Sequence, residues 1–131
     1  MGDRRSEEMI FGAFLRANPE FAGAQLALGD IFYRAGQAKA AYYTESRPHL
    51  EKYTQLVPND SKGWSLLGRD YFYLKMKDEA AVALQKAMDL GDKSKDMYTV
   101  LFRVKVERKD WPGAVEASSP ASNSSIAGRN S

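Results

Sequence analysis

The stretch Trp64-Ser65-Leu66-Leu67-Gly68-Arg69-Asp70-Tyr71, followed by Ala80-Ala81-Val82-Ala83-Leu84-Gln85-Lys86-Ala87, decides the fold of this chain. Trp64, Leu67 and Tyr71 fall at i, i+3 and i+7, one stripe of a helix, and Ala80, Leu84 and Ala87 make the facing stripe of a second. Glycine inside a helix costs about 1 kcal/mol relative to alanine, so packing must compensate for Gly68. The pattern supplies that packing: where Gly68 and Ala80 meet, any larger side chain would force the helices apart, and the large residues around them fill the groove.

With Ser61 as position one of a unit, the same frame recurs on both sides. Upstream, Gln25-x2-Leu28-Gly29-x2-Phe32 repeats the first-helix pattern in a unit starting near Ala22. Downstream, Tyr98-x2-Leu101-Phe102, followed by Ala114, repeats it in a unit starting near Lys95, without the glycine. Pro19 and Pro58 each lie three residues before a unit start, where proline fits the first turn of the next helix. The spacing resembles the tetratricopeptide repeat, whose unit of about 34 residues reads W-x2-L-G-x2-Y…A-x3-F…P. Leu84 stands where that family prefers phenylalanine and Asp92 where it prefers proline. The resemblance implies an all-α, right-handed superhelix of stacked antiparallel helix pairs, about three repeats long.

The starts are 39 residues apart from Ala22 to Ser61 and 34 from Ser61 to Lys95, so the first unit holds about five extra residues. Counting back from Pro58 puts Tyr53 and Leu50 in the second-helix core and the excess in Gln37 to Arg47. Pro48 then predicts one long second helix kinked near it, or two short ones. The insertion reads either as tolerated on the outer face or, through Tyr42 and Tyr43, as part of a binding edge. Residues 3 to 17 read as the second helix of an earlier unit, with Phe11 and Phe14 on its inner face. Asp110 to Ala117 begins a further second helix, and from Ser118 the composition turns to Ser, Asn, Gly and Pro, which cannot bury enough apolar surface to offset ordering. The expected organisation is a repeat domain over 1–117 and a flexible tail over 118–131. Opening on half a unit and closing inside another fits a piece of a longer protein, or a chain whose natural end has been replaced.

Composition suits a single soluble helical domain: 131 residues, 44% hydrophobic and 27% charged, with no run alternating over a strand's length. No apolar stretch approaches the roughly 20 residues that span a bilayer, and the charged start, Met1 to Glu8, lacks the apolar core of a signal peptide. A cytoplasmic location and no membrane contact are the expectation. With one histidine and no cysteine, thiol nucleophiles and zinc sites built from Cys and His are excluded, and nothing reads as a phosphate-binding glycine loop. His49 has no partner motif around it, and the pairs Glu7-Glu8 and Asp78-Glu79 sit near helix starts, where carboxylates favour the dipole. The expectation is a chain that is not an enzyme and takes neither cofactor nor metal. Net charge is +2, with 19 basic and 17 acidic residues interspersed, short of the basic stripe that phosphate neutralisation needs; nucleic acid is not expected as a partner.

What remains is the surface lined by each unit's first helix, which in the resembled family forms the concave wall. By that resemblance, Leu26, Asp30 and Tyr33 from the first unit, Lys62, Ser65, Arg69 and Phe72 from the second, and Thr99, Arg103 and Val106 from the third face a protein or peptide partner. Arg69 and Arg103 take equivalent positions in adjacent units; they either hold carboxylates of a bound peptide or pair with a neighbouring Asp or Glu. The subfamily that clamps chaperone tails needs Lys, Asn and Arg at positions filled here by Leu26, Asp30, Leu66, Asp96 and Val100, so a chaperone adaptor is disfavoured. The expected role is a non-catalytic protein-interaction scaffold. The alternative is a structural element that stacks through open repeat ends, as a homo-oligomer or within a longer protein.

Overall fold

Three helices begin at Ala22, Ser61 and Lys95. The computed structural model describes residues 4–18 and 20–118, and over these it is all-α, with no strand: α1 (Arg4–Ala17), α2 (Ala22–Gly36), α3 (Tyr42–Leu56), α4 (Ser61–Tyr73), α5 (Lys77–Asp89), α6 (Lys95–Glu107) and α7 (Trp111–Ser118). Short polar side chains set two of the starts. Asp60 accepts the Lys62 N–H at 3.0 Å ahead of α4, and Ser94 Oγ accepts the Met97 N–H at 3.4 Å ahead of α6, each taking up a backbone donor that the first turn leaves unpaired. The repeat shows at the ends too. Lys75 and Lys109, 34 residues apart, both take the left-handed conformation (φ 66° and 59°) that closes α4 and α6.

Helices pair as α2 with α3, α4 with α5 and α6 with α7; the pairs join through α3 against α4 and α5 against α6, and α2, α4 and α6 touch in sequence along one side. The molecule is therefore a helical-repeat superhelix of stacked antiparallel pairs, the form the tetratricopeptide resemblance implies. A β-carbon on Gly68 would lie 2.5 Å from Leu84 Cγ and 3.0 Å from the Leu84 backbone nitrogen, and one on Gly29 would lie 2.5 Å from Leu50 Cδ2. Gly68 thus approaches Leu84 most closely rather than Ala80, and Ala80 and Ala114 are buried. In the first unit the small slot belongs to Ser46, also buried, whose hydroxyl is donated to the Gly29 carbonyl at 2.8 Å.

The five extra residues of the first unit gather around its inter-helix turn: two at the end of α2, two in the turn and one at the start of α3. Helices α2 and α3 have 15 residues each against 13 in α4 and α5, and the turn over 37–41 is longer than that over 74–76. Pro48 stays inside one helix, so α3 is not split in two. Four further expectations change. Pro58 lies in the turn before α4 rather than in its first turn, and its carbonyl accepts the Trp64 indole N–H at 2.8 Å. Phe14 does not face inward; it is 42% exposed and packs edge-on to Phe21, while Leu15, with Phe11 against it, takes the inner position beside Ala24 and Leu28. Tyr43 is core rather than binding edge, buried and stacked on Tyr73 at 4.8 Å. Tyr42 is half-buried, stacked on Phe32, and accepts a hydrogen bond from Arg4 at 3.0 Å. Pro19 and the segment beyond Ser118 lie outside the described residues.

Candidate functional site

One groove of about 260 Å³ draws on the first helices of all three units: Tyr33 of α2 and Gln37 just beyond it, Arg69 and Tyr73 of α4, and Asp96, Thr99, Val100 and Arg103 of α6. The backbone spacing explains why these residues meet. Positions four apart share a helix face, so Arg69 and Tyr73, like Asp96, Val100 and Thr99, Arg103, project to the same side.

The floor is aromatic. Tyr33 lies 5.7 Å from Tyr43 and 6.3 Å from Tyr73 between ring centroids, with Tyr43 held by Gln37 Nε2, which donates to its hydroxyl at 2.8 Å. Burial pushes the Tyr33 phenol up to about 12, against the pull of the Arg69 charge, so it remains a neutral hydroxyl through physiological pH.

The two arginines differ. Arg69 has a side chain only 17% exposed; its guanidinium lies 5.2 Å from the Tyr33 ring centroid, its Nε donates to the Ser65 carbonyl at 3.3 Å, and Asp96 sits 3.7 Å away across the joint between units. Arg103, equivalent to it in the next unit, is exposed and makes no ion pair among the described residues. A guanidinium free in a groove, beside another already oriented over a ring, can take a carboxylate in bidentate fashion.

Of the ten wall residues expected from the repeat register, the groove brings together Tyr33, Arg69, Thr99 and Arg103. The other six lie elsewhere. Leu26 packs on the cluster of Leu50, Leu66 and Leu67. Asp30 pairs with Arg34 at 3.2 Å and lines a separate groove with Glu7 and Phe11 of α1. Lys62 is exposed at the start of α4, and Val106 is half-buried beyond the groove. Ser65 is buried, its hydroxyl without a partner among the described residues. Phe72 turns towards the cluster of Leu84, Met97 and Leu101. Register missed Gln37, Tyr73, Asp96 and Val100. Asp96 carried a signal, since it holds the unit position that Lys62 holds in the preceding repeat; Tyr73 and Gln37 lie at and past helix ends, where the register ceases to predict direction.

His49 of α3 stacks on Phe32 of α2 at 5.9 Å with Nδ1 2.9 Å from Gln25 Oε1, and burial lowers its basicity, partly offset by Glu45. Among the described residues no three His, Cys, Asp or Glu side chains gather as a metal site, and no helix is long and apolar enough to cross a membrane.

No family model matches the chain, and no curated protein matches it in sequence. Solved structures do. A crystal structure of MamA superposes with a TM-score of 0.73 at 25% identity, covering 82% of this chain and 60% of that one. The MamA RS-1 ArsTM double mutant gives 0.77 at 25% identity over 88% and 62%, and MamA from residue 41 to its end, from Desulfovibrio magneticus RS-1, gives 0.75 at 25% over 88% and 63%. The chain thus spans about three fifths of the length of the solved chains it resembles. The likeness is that of a shared tetratricopeptide-like fold.

Proposed function

We propose that this chain is a tetratricopeptide-repeat interaction module that holds an extended peptide or a partner helix along α2, α4 and α6, and that residues up to about 117 act as one binding domain. The observation that carries this reading is the groove at Tyr33, Arg69 and Arg103, where three successive units converge on an aromatic floor with one cation that has no ion pair among the described residues. Likeness to helical-repeat structures supports it. An acidic side chain of the partner would dock at Arg103, with its neighbours packed on Tyr33 and Tyr73. Asp96 shapes the site by neutralising part of the Arg69 charge, so the groove accepts one carboxylate more readily than a run of them.

The test is titration of candidate partner peptides, with and without an acidic residue, against the protein and its Arg69→Glu, Arg103→Glu variant. Binding that needs the acidic residue and is lost in the variant supports the reading; unchanged affinity overturns it.

A further inference from the structure

On the side of α4 opposite the inner wall, Trp64, Leu67 and Tyr71 form a second groove with Val82 and Ala83 of α5, about 320 Å³ in volume. Its position sets it apart from the open ends of the stack: it lies in the middle pair, where the adjoining units are present and still leave it uncovered. Leu67 and Ala83 are buried at its base, while Val82 is 69% exposed at its lip.

The mouth is acidic. Asp78 and Glu79 line it, and Glu51 of α3 reaches its edge, accepting the Tyr71 hydroxyl at 2.6 Å. Burial raises the Tyr71 phenol, the Glu51 hydrogen bond and the charges of Glu51 and Glu79 add to that rise, and the charge of Arg47 offsets part of it. Asp78 is partly occupied by Arg108 at 3.4 Å, whereas Glu79 makes no ion pair among the described residues. Beside the groove the chain already places a cation over an indole, with Lys86 Nζ 5.9 Å from the Trp64 ring centroid, the contact that an aromatic face ringed by carboxylates favours.

We propose that this groove is a second docking site, on the outer face, for a partner segment that offers one large apolar side chain with a lysine or arginine one helical turn away. The apolar group enters between Trp64 and Val82, and the cation reaches Glu79 and Asp78. A second copy of this chain offers α1, with Met9 and Ile10 exposed and Arg5 one turn before Met9, but Glu7 and Glu8 lie beside them. Such carboxylates would face those of the groove.

Trp64 is one of two tryptophans, the other being the exposed Trp111, so a Trp111→Phe protein reports on this groove alone. The probe is a tryptophan-free helical peptide of leucine and lysine, and its control has glutamate in place of each lysine. The expected result is a saturable shift of Trp64 emission with the lysine probe, weakened by salt and about fivefold weaker for Glu79→Lys. The glutamate probe should bind Glu79→Lys better than the parent. Val82→Gln, at an exposed helical position, should weaken the lysine probe without changing the far-ultraviolet circular dichroism. Lysine-probe binding that leaves Trp64 unmoved, or that Glu79→Lys leaves unchanged, overturns the proposal. So does loss of the signal in Arg69→Glu, Arg103→Glu, which would place the probe on the inner wall, and so does a Trp64 shift that follows protein concentration alone, which would make a second copy the occupant.

Discussion

The middle helix pair and the last one are built on the same frame with their sizes exchanged. In α4 and α5, Gly68 is the small partner and Leu84, fully buried, the large one. Thirty-four residues on, the large side chain is Phe102 on α6 and the small one Ser118, the last residue of α7. Ala80 and Ala114, at the remaining contact, stay small and buried in both. The exchange is not equivalent energetically. Leu84 is covered from all sides, whereas Phe102 remains 40% exposed beside a groove lined by Tyr98 and Ala117. Fixed register therefore does not fix stability: among the described residues the middle pair is a closed joint and the last pair an open one.

The largest break in this comparison comes from truncating the two equivalent residues. Leu84→Ala removes a fully buried side chain and should cost about 3 kcal/mol, within the range of such deletions. Ser118→Ala, at an exposed helix end where the hydroxyl is donated to the Val115 carbonyl, should cost less than about 0.5 kcal/mol. Urea unfolding of both variants checks the contrast; equal losses would mean that the last pair is as closed as the middle one.

A second difference is electrostatic. Asp70, fully buried in α4, holds the slot that Val104 fills in α6. Neither of its oxygens has a hydrogen-bond partner among the described residues. Burial pushes its carboxyl up to about 7, with the charge of Glu51 adding to the rise and the Ser46 hydroxyl and Arg47 guanidinium offsetting only part of it. The folded state thus holds the Asp70 proton more tightly than the unfolded chain, whose carboxyl titrates near 3.9. Stability from this group is greatest below about pH 4, falls as pH rises towards 7 and is flat above. Asp70→Asn should leave stability nearly unchanged at pH 4 and raise it by up to about 4 kcal/mol at pH 8. A variant with the parent's pH slope would show that the carboxylate is solvated.

Much of this architecture was legible in the residues and some of it was not, for physical reasons. Ser61 and Lys95 start helices because Asp60 and Ser94 cap them, and the caps repeat with the frame. Gly68 and Gly29 announced close approach because only the lack of a β-carbon permits it. Pro48 left two outcomes open because a proline's cost can be met by packing, and here α3 is held along its length by α2 and α4. Of the wall, Tyr33, Arg69, Thr99 and Arg103 converge, yet Leu26 and Phe72 turn into neighbouring cores: register gives a side chain's direction to within part of a turn, and an apolar group at the edge of that arc goes where it can be buried. Asp70 gave no sign at all, since one carboxylate inside an amphipathic helix reads as solvated until its neighbours are known.

Smaller effects sharpen the comparison at the exchanged position itself. Gly68→Ala gains about 1 kcal/mol of helix propensity but places a β-carbon 3.0 Å from the Leu84 backbone nitrogen, which cannot swing aside as a side chain can. Overpacking of this kind costs about 1–3 kcal/mol, so a net loss of about 1 kcal/mol is expected in thermal unfolding. A net gain would mean that α5 can slide along α4.

Phe102→Ala acts at the same register position with the opposite chemistry. It deletes a ring that is already 40% exposed, so the lost burial is partial, and alanine's better helix propensity returns a few tenths of a kcal/mol. The net cost should stay under about 1 kcal/mol, with the melting temperature of Phe102→Ala close to that of the parent. A loss as large as that of Leu84→Ala would show that Phe102 is covered in solution by something the described residues do not supply, and the open joint would then have to be counted as a closed one.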